Sequence, residues 1–382
     1  MPLGFDCGTM FLCKAEMDES LNVIFSPERN AFLEVSADSD TEGTLTENHW
    51  HYAKHDGKYY IIGEDSIKLK NLLTIGEKAE KNIVATKVGE LRRPMKDGIL
   101  NTGEDKLSVA IIQKIIGNLS GKAKYNGEVL CFCSPGDPVD RNLSVVFHRT
   151  ILSNFFKSLG YTVECIPEAL AIIFSERPVA VDPETGEDAP FTGIALSYGS
   201  GMMNICFCVR KMALINFSVA RSGDWIDQQS ANTAGINVSA MTRYKEKHLD
   251  LDNVDYSDMR QAALDIYYQN MIEHSLNNFA AKFNQLDNKI DMPLEIVIAG
   301  GTAIVPGFVN KFNAVLKGMS LPFKVKNVRL ADNPLYTVAN GCLVKAISVE
   351  NKLAENKETP VSTTSTEKEA KETGVKKIKL NR

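Results

Sequence analysis

The sequence predicts an α/β fold built from two similar halves. The stretches "KLSVAIIQKIIGNL" and "NLSVVFHRTILSNFFKSLG" carry apolar residues at helical spacing, and the short apolar run "GEVLCFCSP" lies between them. This order of strand and helix signals is typical of an α/β domain. Residues 177–191, "RPVAVDPETGEDAPF", interrupt it with three prolines, a glycine and acidic residues, so we expect a linker or exposed loop there.

The opening of the chain has a counterpart after this linker. "GFDCGTMFLCKA" and "FTGIALSYGSGMMNICFCV" both read as an apolar strand, a polar residue, a spacer, a glycine, a hydroxyl residue and a second apolar strand. The equivalent residues are Asp6, Gly8 and Thr9 in the first half and Ser197, Gly199 and Ser200 in the second. The chain is therefore predicted to be duplicated, with each half beginning in a glycine-containing hairpin.

Composition narrows the class of protein. The 382 residues are 44% apolar and 24% charged, which is typical of a soluble globular chain long enough for two domains. A net charge of −5 disfavours a protein that binds nucleic acid through a uniformly basic surface. No apolar run approaches the roughly 20 residues that span a bilayer, and the first residues lack a signal-peptide pattern. We expect a cytoplasmic protein.

The spacing of the cysteines and histidines gives little support for a metal site formed by these residues. Cys131 and Cys133 lie two residues apart, as do Cys206 and Cys208, and neither pair has the C-x-x-C spacing of zinc or redox sites. They are predicted to be small buried residues. The histidines of "NHWHYAKH", residues 48–55, have no cysteine or acidic partner at ligand spacing, so a polar surface hairpin is the favoured interpretation.

Two glycine hairpins from two similar domains suit the binding of a phosphate chain. If the hairpins face each other, each offers backbone N–H groups and a hydroxyl to phosphate oxygens. Either hairpin alone would be interpreted as a plain β-turn. A third element favours the ligand-binding interpretation. In "LEIVIAGGTAIVPGFVNKFNAVL" an apolar strand leads through a Gly-Gly-Thr turn to an amphipathic helix beginning near Pro306. Glycines at a strand end let a flat adenine ring approach the backbone, although a simple strand-to-helix turn would look similar.

These three elements, in this order, resemble the actin and heat-shock-chaperone ATPase superfamily, and especially bacterial-type actins similar to MreB and ParM. "LRRPMKDGIL" and "NPLYTVANGCLVKA" resemble the segments that lead into the two connecting helices of that family. The resemblance runs from about Gly4 to Ile347 and implies an actin-like (ribonuclease H-like, duplicated) fold, with two domains of two subdomains each around a nucleotide cleft. The implied boundaries are 1–180 for the first domain, 181–349 for the second, and small insertions at about 29–92 and 236–290.

The resemblance also implies ATP and Mg²⁺ as cofactors and assigns site residues. Asp6 would hold the waters of the magnesium ion, although capping its own turn is the simpler alternative. Glu168 aligns with the residue that positions the attacking water. Lys245 and Glu246 look like the pair that reaches the ribose, but a surface helix with opposite charges would look the same. The remaining implied contacts are Gly8, Thr9 and Met10 in the first phosphate loop, Gly199, Ser200 and Gly201 in the second, and Gly300, Gly301 and Thr302 in the adenosine loop.

The second phosphate loop departs from the family pattern. Most relatives carry an aspartate where Ser197 stands, and several carry an acid or a histidine near the place of Asn204. A hydroxyl orders metal-bound water and accepts protons less well than a carboxylate, so we expect slow hydrolysis. Asp224, at a predicted helix start, offers partial compensation, but capping the helix is its simpler predicted role.

Two function classes follow from the resemblance. The first is a cytoskeletal protein that binds ATP, polymerises into filaments and uses hydrolysis to control assembly. The second is a monomeric switch ATPase of the chaperone or enzyme-reactivating type. A heat-shock chaperone needs a further peptide-binding domain, whereas residues 350–382 have the composition of a disordered tail, so the filament is favoured. The basic end of this tail, "VKKIKLNR", is either a solvated terminus or a peptide that binds an adaptor or cargo.

Overall fold

The structure is a computed structural model that describes residues 1–35, 41–79, 90–176, 180–181, 188–287 and 290–358. The strands are β1 (Leu3–Cys7), β2 (Phe11–Met17), β3 (Val23–Arg29), β4 (Phe32–Val35), β5 (Tyr52–His55), β6 (Lys58–Ile62), β7 (Leu91–Arg92), β8 (Met95–Lys96), β9 (Ile99–Leu100), β10 (Val129–Ser134), β11 (Thr162–Pro167), β12 (Ala180–Val181), β13 (Asp188–Ala189), β14 (Gly193–Tyr198), β15 (Met203–Val209), β16 (Met212–Val219), β17 (Leu294–Ala299) and β18 (Val325–Leu330).

Ten α-helices and one short 3₁₀ helix, Gly301–Ile304, connect the strands within the described ranges. The α-helices are α1 (Thr41–Glu47), α2 (Glu64–Ala79), α3 (Ser108–Ser120), α4 (Val146–Ser158), α5 (Glu168–Ser175), α6 (Gly223–Ala234), α7 (Val238–His248), α8 (Met259–Phe283), α9 (Phe308–Gly318) and α10 (Thr337–Glu358). The helices predicted from "KLSVAIIQKIIGNL" and "NLSVVFHRTILSNFFKSLG" are confirmed as α3 and α4, and the strand between them is β10.

Two five-stranded sheets of identical topology form the framework. The first has the order β11-β10-β1-β2-β3 and the second the order β16-β15-β14-β17-β18. In each sheet the first strand along the chain pairs antiparallel with the next strand and parallel with a later one, as β1 does with β2 and β10 and as β14 does with β15 and β17. The predicted duplication is confirmed, because the turns β1–β2 and β14–β15 occupy equivalent positions in the two sheets.

The two predicted insertions differ in structure. Within 29–92, strands β5-β6-β4-β7 form a separate sheet with a small core that includes Leu33, Tyr59 and Ile61. Within 236–290, α7 and α8 bring Met241 and Leu264 into the same core as the second five-stranded sheet. The predicted hairpin at the histidine cluster is confirmed, because β5 and β6 pair antiparallel.

Helices α5 and α10 pack together between the two sheets. Their buried residues share one cluster with residues of β10, β14, β15 and β17. The approach of the helices is so close that a Cβ on Gly341 of α10 would lie 1.7 Å from the carbonyl oxygen of Ala171 on α5. Only glycine fits at this contact, which ties the connecting helices to each other.

The predicted tail and the predicted linker lie only partly within the described residues. Helix α10 continues to Glu358, so the expectation that disorder begins at residue 350 is corrected: residues 350–358 are helical, and residues 359–382 lie outside the described ranges. Of the predicted linker 177–191, residues 177–179 and 182–187 lie outside them too, while β12 and β13 pair as a short hairpin. Within the described residues, no helix has the length and apolar character needed to cross a membrane.

Candidate functional site

A cavity of 520 Å³ opens between the two halves at the two equivalent turns. It is bordered by both hairpins, the start of α5, the loop before α6, part of α7 and the turn after β17. Every residue that the sequence analysis proposed for the site borders it, as does Ser197. These residues are Asp6, Gly8, Thr9, Met10, Glu168, Gly199, Ser200, Gly201, Lys245, Glu246, Gly300, Gly301 and Thr302.

The first turn is held by the residue that follows β3. Asn30 is fully buried; its side-chain amide donates to the carbonyl of Gly8 at 3.0 Å, and its backbone N–H donates to the carbonyl of Met10 at 3.0 Å. Two carbonyls of the turn are thereby fixed by one residue. Asp6, at the end of β1, accepts a hydrogen bond from the thiol of Cys133 at 3.2 Å. Burial raises the pKa of Asp6 to about 6, and the thiol hydrogen bond opposes that rise.

The second turn is fixed by α6 and by the turn after β17. The carbonyl of Gly199 accepts from the backbone N–H of Gly223 at 3.1 Å and from the hydroxyl of Thr302 at 2.8 Å. The carbonyl of Ser200 accepts from the N–H of Asp224 at 2.8 Å. The orientation of both peptide groups is therefore set by neighbouring elements of the second half.

The two turns face each other at contact distance. A Cβ placed on Gly201 would lie 2.4 Å from the hydroxyl oxygen of Thr9 and 2.4 Å from the backbone nitrogen of Gly98. In the described part of the chain no acceptor is present for the backbone N–H groups of Thr9, Met10, Ser200 and Gly201. Unpaired N–H groups on facing turns are suited to bind an anion, because each N–H carries a partial positive charge.

Glu168, the first residue of α5, is held by both of its carboxylate oxygens. Ser197 donates to Oε1 at 2.6 Å, and the amide of Asn204 donates to Oε2 at 2.9 Å. The amide oxygen of Asn204 in turn accepts from the N–H of Gly136 at 3.0 Å, which fixes the amide orientation. Burial and the nearby charge of Asp6 raise the pKa of Glu168 to about 8, against the opposing effect of the Ser197 hydrogen bond. Such a carboxyl group is suited to accept or share a proton near neutral pH.

Gly300 and Gly301 have different reasons to be glycine. Gly300 has a φ of 96°, and a Cβ there would lie 2.3 Å from the carbonyl oxygen of Tyr198, so this residue is required by the fold. Around Gly301 the nearest atom to an added Cβ is a methyl of Leu335 at 3.8 Å, which is an ordinary contact. A Cβ at Gly301 is thus tolerated by the surrounding atoms, and the residue lies at the border of the cavity.

Charged residues of α6 and α7 form ion pairs at the border of the cavity. Lys245 is mostly buried and forms a 2.7 Å ion pair with Asp227, while its neighbour Glu246 also borders the cavity. The prediction that Asp224 caps α6 is wrong, because Ser222 occupies the N-cap position and Asp224 forms a two-pronged ion pair with Arg93 at 2.9 and 3.1 Å. This ion pair joins the first half to the second.

Several cavity residues were missed by the sequence analysis. Arg29 and Phe11 border it from the first half, Asp227 from α6, and Leu335 and Tyr336 from the approach to α10. Only Asp227 had a local signal, because it lies one helical turn after Asp224. The others are ordinary strand or loop residues whose position depends on how distant segments assemble.

The duplicated sheets, the connecting helices and the cavity between facing turns define an actin-like fold. Solved structures with the same fold include a MamK double helical filament, with 14% identity, a TM-score of 0.62 and coverage of 92% of this chain and 98% of MamK. MreB 5 of Spiroplasma citri bound to AMPPNP has 11% identity, a TM-score of 0.63 and coverage of 93% and 98%; its ADP-bound form has a TM-score of 0.59. The predicted resemblance to bacterial-type actins is confirmed at the level of the fold.

The particular family follows from a match to residues 1–346 by the family model described as Volactin. The chain belongs to the Volactin family. Comparison with curated protein sequences gives no match.

Proposed function

We propose that this protein is an actin-like cytoskeletal protein of the cytoplasm that binds ATP with Mg²⁺ in the cleft and polymerises into filaments. The observation that carries the proposal is the pair of equivalent turns with unpaired N–H groups, which face each other across the cavity. As part of the same proposal, the first domain comprises residues 1–180 and the second 181–349.

The phosphate chain lies between the turns in this proposal, and the nucleoside extends toward the second half. The N–H groups of Thr9, Met10, Ser200 and Gly201 bind phosphate oxygens. Gly301 leaves room for the adenine, and Glu246 accepts hydrogen bonds from the ribose hydroxyls. Lys245 holds Asp227 in this arrangement. The solved structures with AMPPNP or ADP belong to proteins of the same fold and support this placement.

The donor set fits magnesium better than a metal held by protein alone. Within the described residues, no group of three or more His, Cys, Asp or Glu side chains has a metal-binding arrangement. Mg²⁺ needs few protein ligands, because it keeps several waters and takes others from phosphates. Asp6 is the residue that would hold those waters. The ion would supply positive charge to the phosphates, since the cavity is bordered by the acidic residues Asp6, Glu168, Asp224, Asp227 and Glu246.

Hydrolysis in this proposal depends on Glu168. Its carboxylate orients the attacking water by accepting a hydrogen bond from it. The hydrogen bonds from Ser197 and Asn204 keep the carboxylate from rotating. Ser197 and Asn204 are neutral, so they add no second proton acceptor. We therefore expect slow turnover, which would act as a timer for disassembly rather than as a metabolic reaction.

Polymerisation is the step that distinguishes the proposal from a monomeric switch ATPase. The two halves give the subunit unlike ends, and repeated contacts between unlike surfaces produce an open filament. Nucleotide that bridges the two turns favours one angle between the halves, and this angle decides whether neighbouring subunits fit. The MamK structure is a filament of a protein with this fold. In this proposal the predicted tail, residues 350–382, binds an adaptor or cargo.

Nucleotide binding is tested with Gly301→Phe. The backbone tolerates a side chain at this position, so the variant should fold and yet exclude the adenine. We expect a fluorescent ATP analogue to bind the wild type and to lose measurable affinity in the variant. Gly318→Phe is the matched control, because an added Cβ there meets no atom within 4 Å and Gly318 lies outside the cavity. Equal affinity in all three proteins would contradict the placement of the nucleoside.

Assembly is tested by sedimentation and negative-stain microscopy with ATP and Mg²⁺ at several protein concentrations. We expect a pelleted polymer above a critical concentration, and no polymer when the nucleotide is absent. A protein that binds ATP but stays monomeric at high concentration would instead favour the switch ATPase.

A further inference from the structure

Arg29, the last residue of β3, borders the cavity from the first half. In the β2–β3 pairing it lies directly opposite Phe11, so both side chains are on the same face of the sheet. The guanidinium carbon of Arg29 is 4.0 Å from the centre of the Phe11 ring. The aromatic ring thus supports the cation at the end of the first turn.

The position of Arg29 is coupled to that turn through the next residue. Asn30 binds the carbonyls of Gly8 and Met10, as described above. Because Arg29 and Asn30 are adjacent in the chain, the residue that holds the first turn also fixes the strand end that carries Arg29.

The hydrogen-bonding capacity of Arg29 is largely unused within the protein. A guanidinium has five N–H donors. Among the residues that the structure describes, its only charged contact is between Nε and Oε2 of Glu64, at 3.9 Å, which is too long for a hydrogen bond. Its side chain is 26% exposed. An arginine that borders a cavity with unfilled donors is suited to an anionic ligand with several oxygens.

Acidic side chains outnumber basic side chains around the cavity. Among the described residues that border it, the cationic side chains are Arg29 and Lys245, against five carboxylates. Lys245 is already paired with the buried Asp227 at 2.7 Å, and it lies in the second half. On β2, Cys13 borders the cavity as a neutral residue. Arg29 is therefore the cation that remains for a polyanion on this side.

We propose that Arg29 is a phosphate-binding residue, which makes the site selective for ligands with a di- or triphosphate over a nucleoside. The inference rests on the proposed nucleotide site and deepens it. Replacement of the guanidinium by a neutral amide removes charge-assisted hydrogen bonds to phosphate, and such bonds are worth about tenfold to a hundredfold in affinity.

The test compares wild type, Arg29→Gln and Arg29→Lys by competition against a fluorescent ATP analogue, with ADP, adenosine and inorganic pyrophosphate as competitors at fixed Mg²⁺ and ionic strength. We expect Arg29→Gln to weaken ADP and pyrophosphate by about tenfold to a hundredfold, to leave adenosine within about twofold, and to reduce the salt dependence of ADP binding. Arg29→Lys should retain part of the affinity, because it keeps the charge but loses the planar fork.

Arg260→Gln is the matched control. Arg260 also lies 4.0 Å over an aromatic ring, that of Tyr244, and pairs with an acid, but it does not border the cavity. The Arg260→Gln variant should bind all ligands with the affinity of the wild type. Wild-type affinity for ADP in Arg29→Gln, or an equal loss of ADP and adenosine, would overturn the inference while leaving the nucleotide site intact. If the wild type binds no nucleotide, the proposed function fails. Calorimetry with pyrophosphate then tests the role of Arg29 directly. If pyrophosphate does not bind to the wild type either, that role is overturned too.

Discussion

Acid sensitivity of the fold is predicted from His148 on α4. The side chain is buried, with 1% exposure, and neither ring nitrogen has a hydrogen-bond partner in the described part of the structure. Burial, with a smaller contribution from the charge of Arg149, lowers the pKa of His148 from 6.5 to about 4. The folded protein therefore keeps the imidazole neutral, whereas the unfolded chain binds a proton below pH 6.5.

The sign and size of the effect follow from proton linkage. Below pH 6.5 the unfolded state holds more protons than the folded state, so the free energy of unfolding falls as the pH falls. Each unit of pKa difference is worth about 1.4 kcal/mol. The loss is about 2 kcal/mol at pH 5 and about 3 kcal/mol at pH 4, and above pH 6.5 the effect disappears.

The assay is urea unfolding of the nucleotide-free wild type and His148→Leu at pH 7 and pH 5. Any packing change in the variant contributes at both pH values and cancels when the two are subtracted. We expect the wild type to lose about 2 kcal/mol more than the variant between pH 7 and pH 5. His55→Gln, at an exposed site on β5, is the control and should behave as the wild type does. The same pH dependence in wild type and His148→Leu would refute the reasoning.

Three further predictions concern the cleft and the connecting helices. Glu168→Gln should reduce phosphate release by about a hundredfold and leave ATP bound, because the amide cannot accept the proton; unchanged release would exclude the proposed role. Arg93→Asp should speed nucleotide dissociation severalfold, because the new carboxylate repels Asp224. The added change Asp224→Arg should restore the ion pair and slow dissociation again. A double variant that releases nucleotide as fast as the single one would argue against a role of this ion pair in holding the cleft closed. Gly341→Ala should destabilise the fold by about 4 kcal/mol or more in thermal unfolding, because its Cβ meets a carbonyl of α5, whereas Gly318→Ala should melt as the wild type does.

The local parts of the site could be predicted from the sequence because their signals are short-range. A polar residue, a glycine and a hydroxyl residue between two apolar runs identify a hairpin turn wherever they occur, and the same pattern at Asp6 and Ser197 revealed the duplication. Glycines at a strand end mark a close approach, which the structure has at Gly300. These patterns depend on backbone geometry and neighbouring residues alone.

The tertiary structure decided which distant groups meet. Arg93 and Asp224 are 131 residues apart, and nothing near either residue predicts that Asp224 forms an ion pair rather than a helix cap. The clamp on Glu168 by Asn204 likewise joins the start of α5 to a strand of the other sheet. Arg29 looks like an ordinary charged residue at the end of a strand until the register of β2 and β3 places it over Phe11.

By itself, the sequence determined the two halves, their glycine-containing turns and the glycines that shape them, because steric limits on the backbone act over a few residues. Only the tertiary structure decided the charges and proton affinities of the cleft. Ion pairs and pKa values depend on distance and burial, and both quantities arise only when the two sheets and the helices between them pack together.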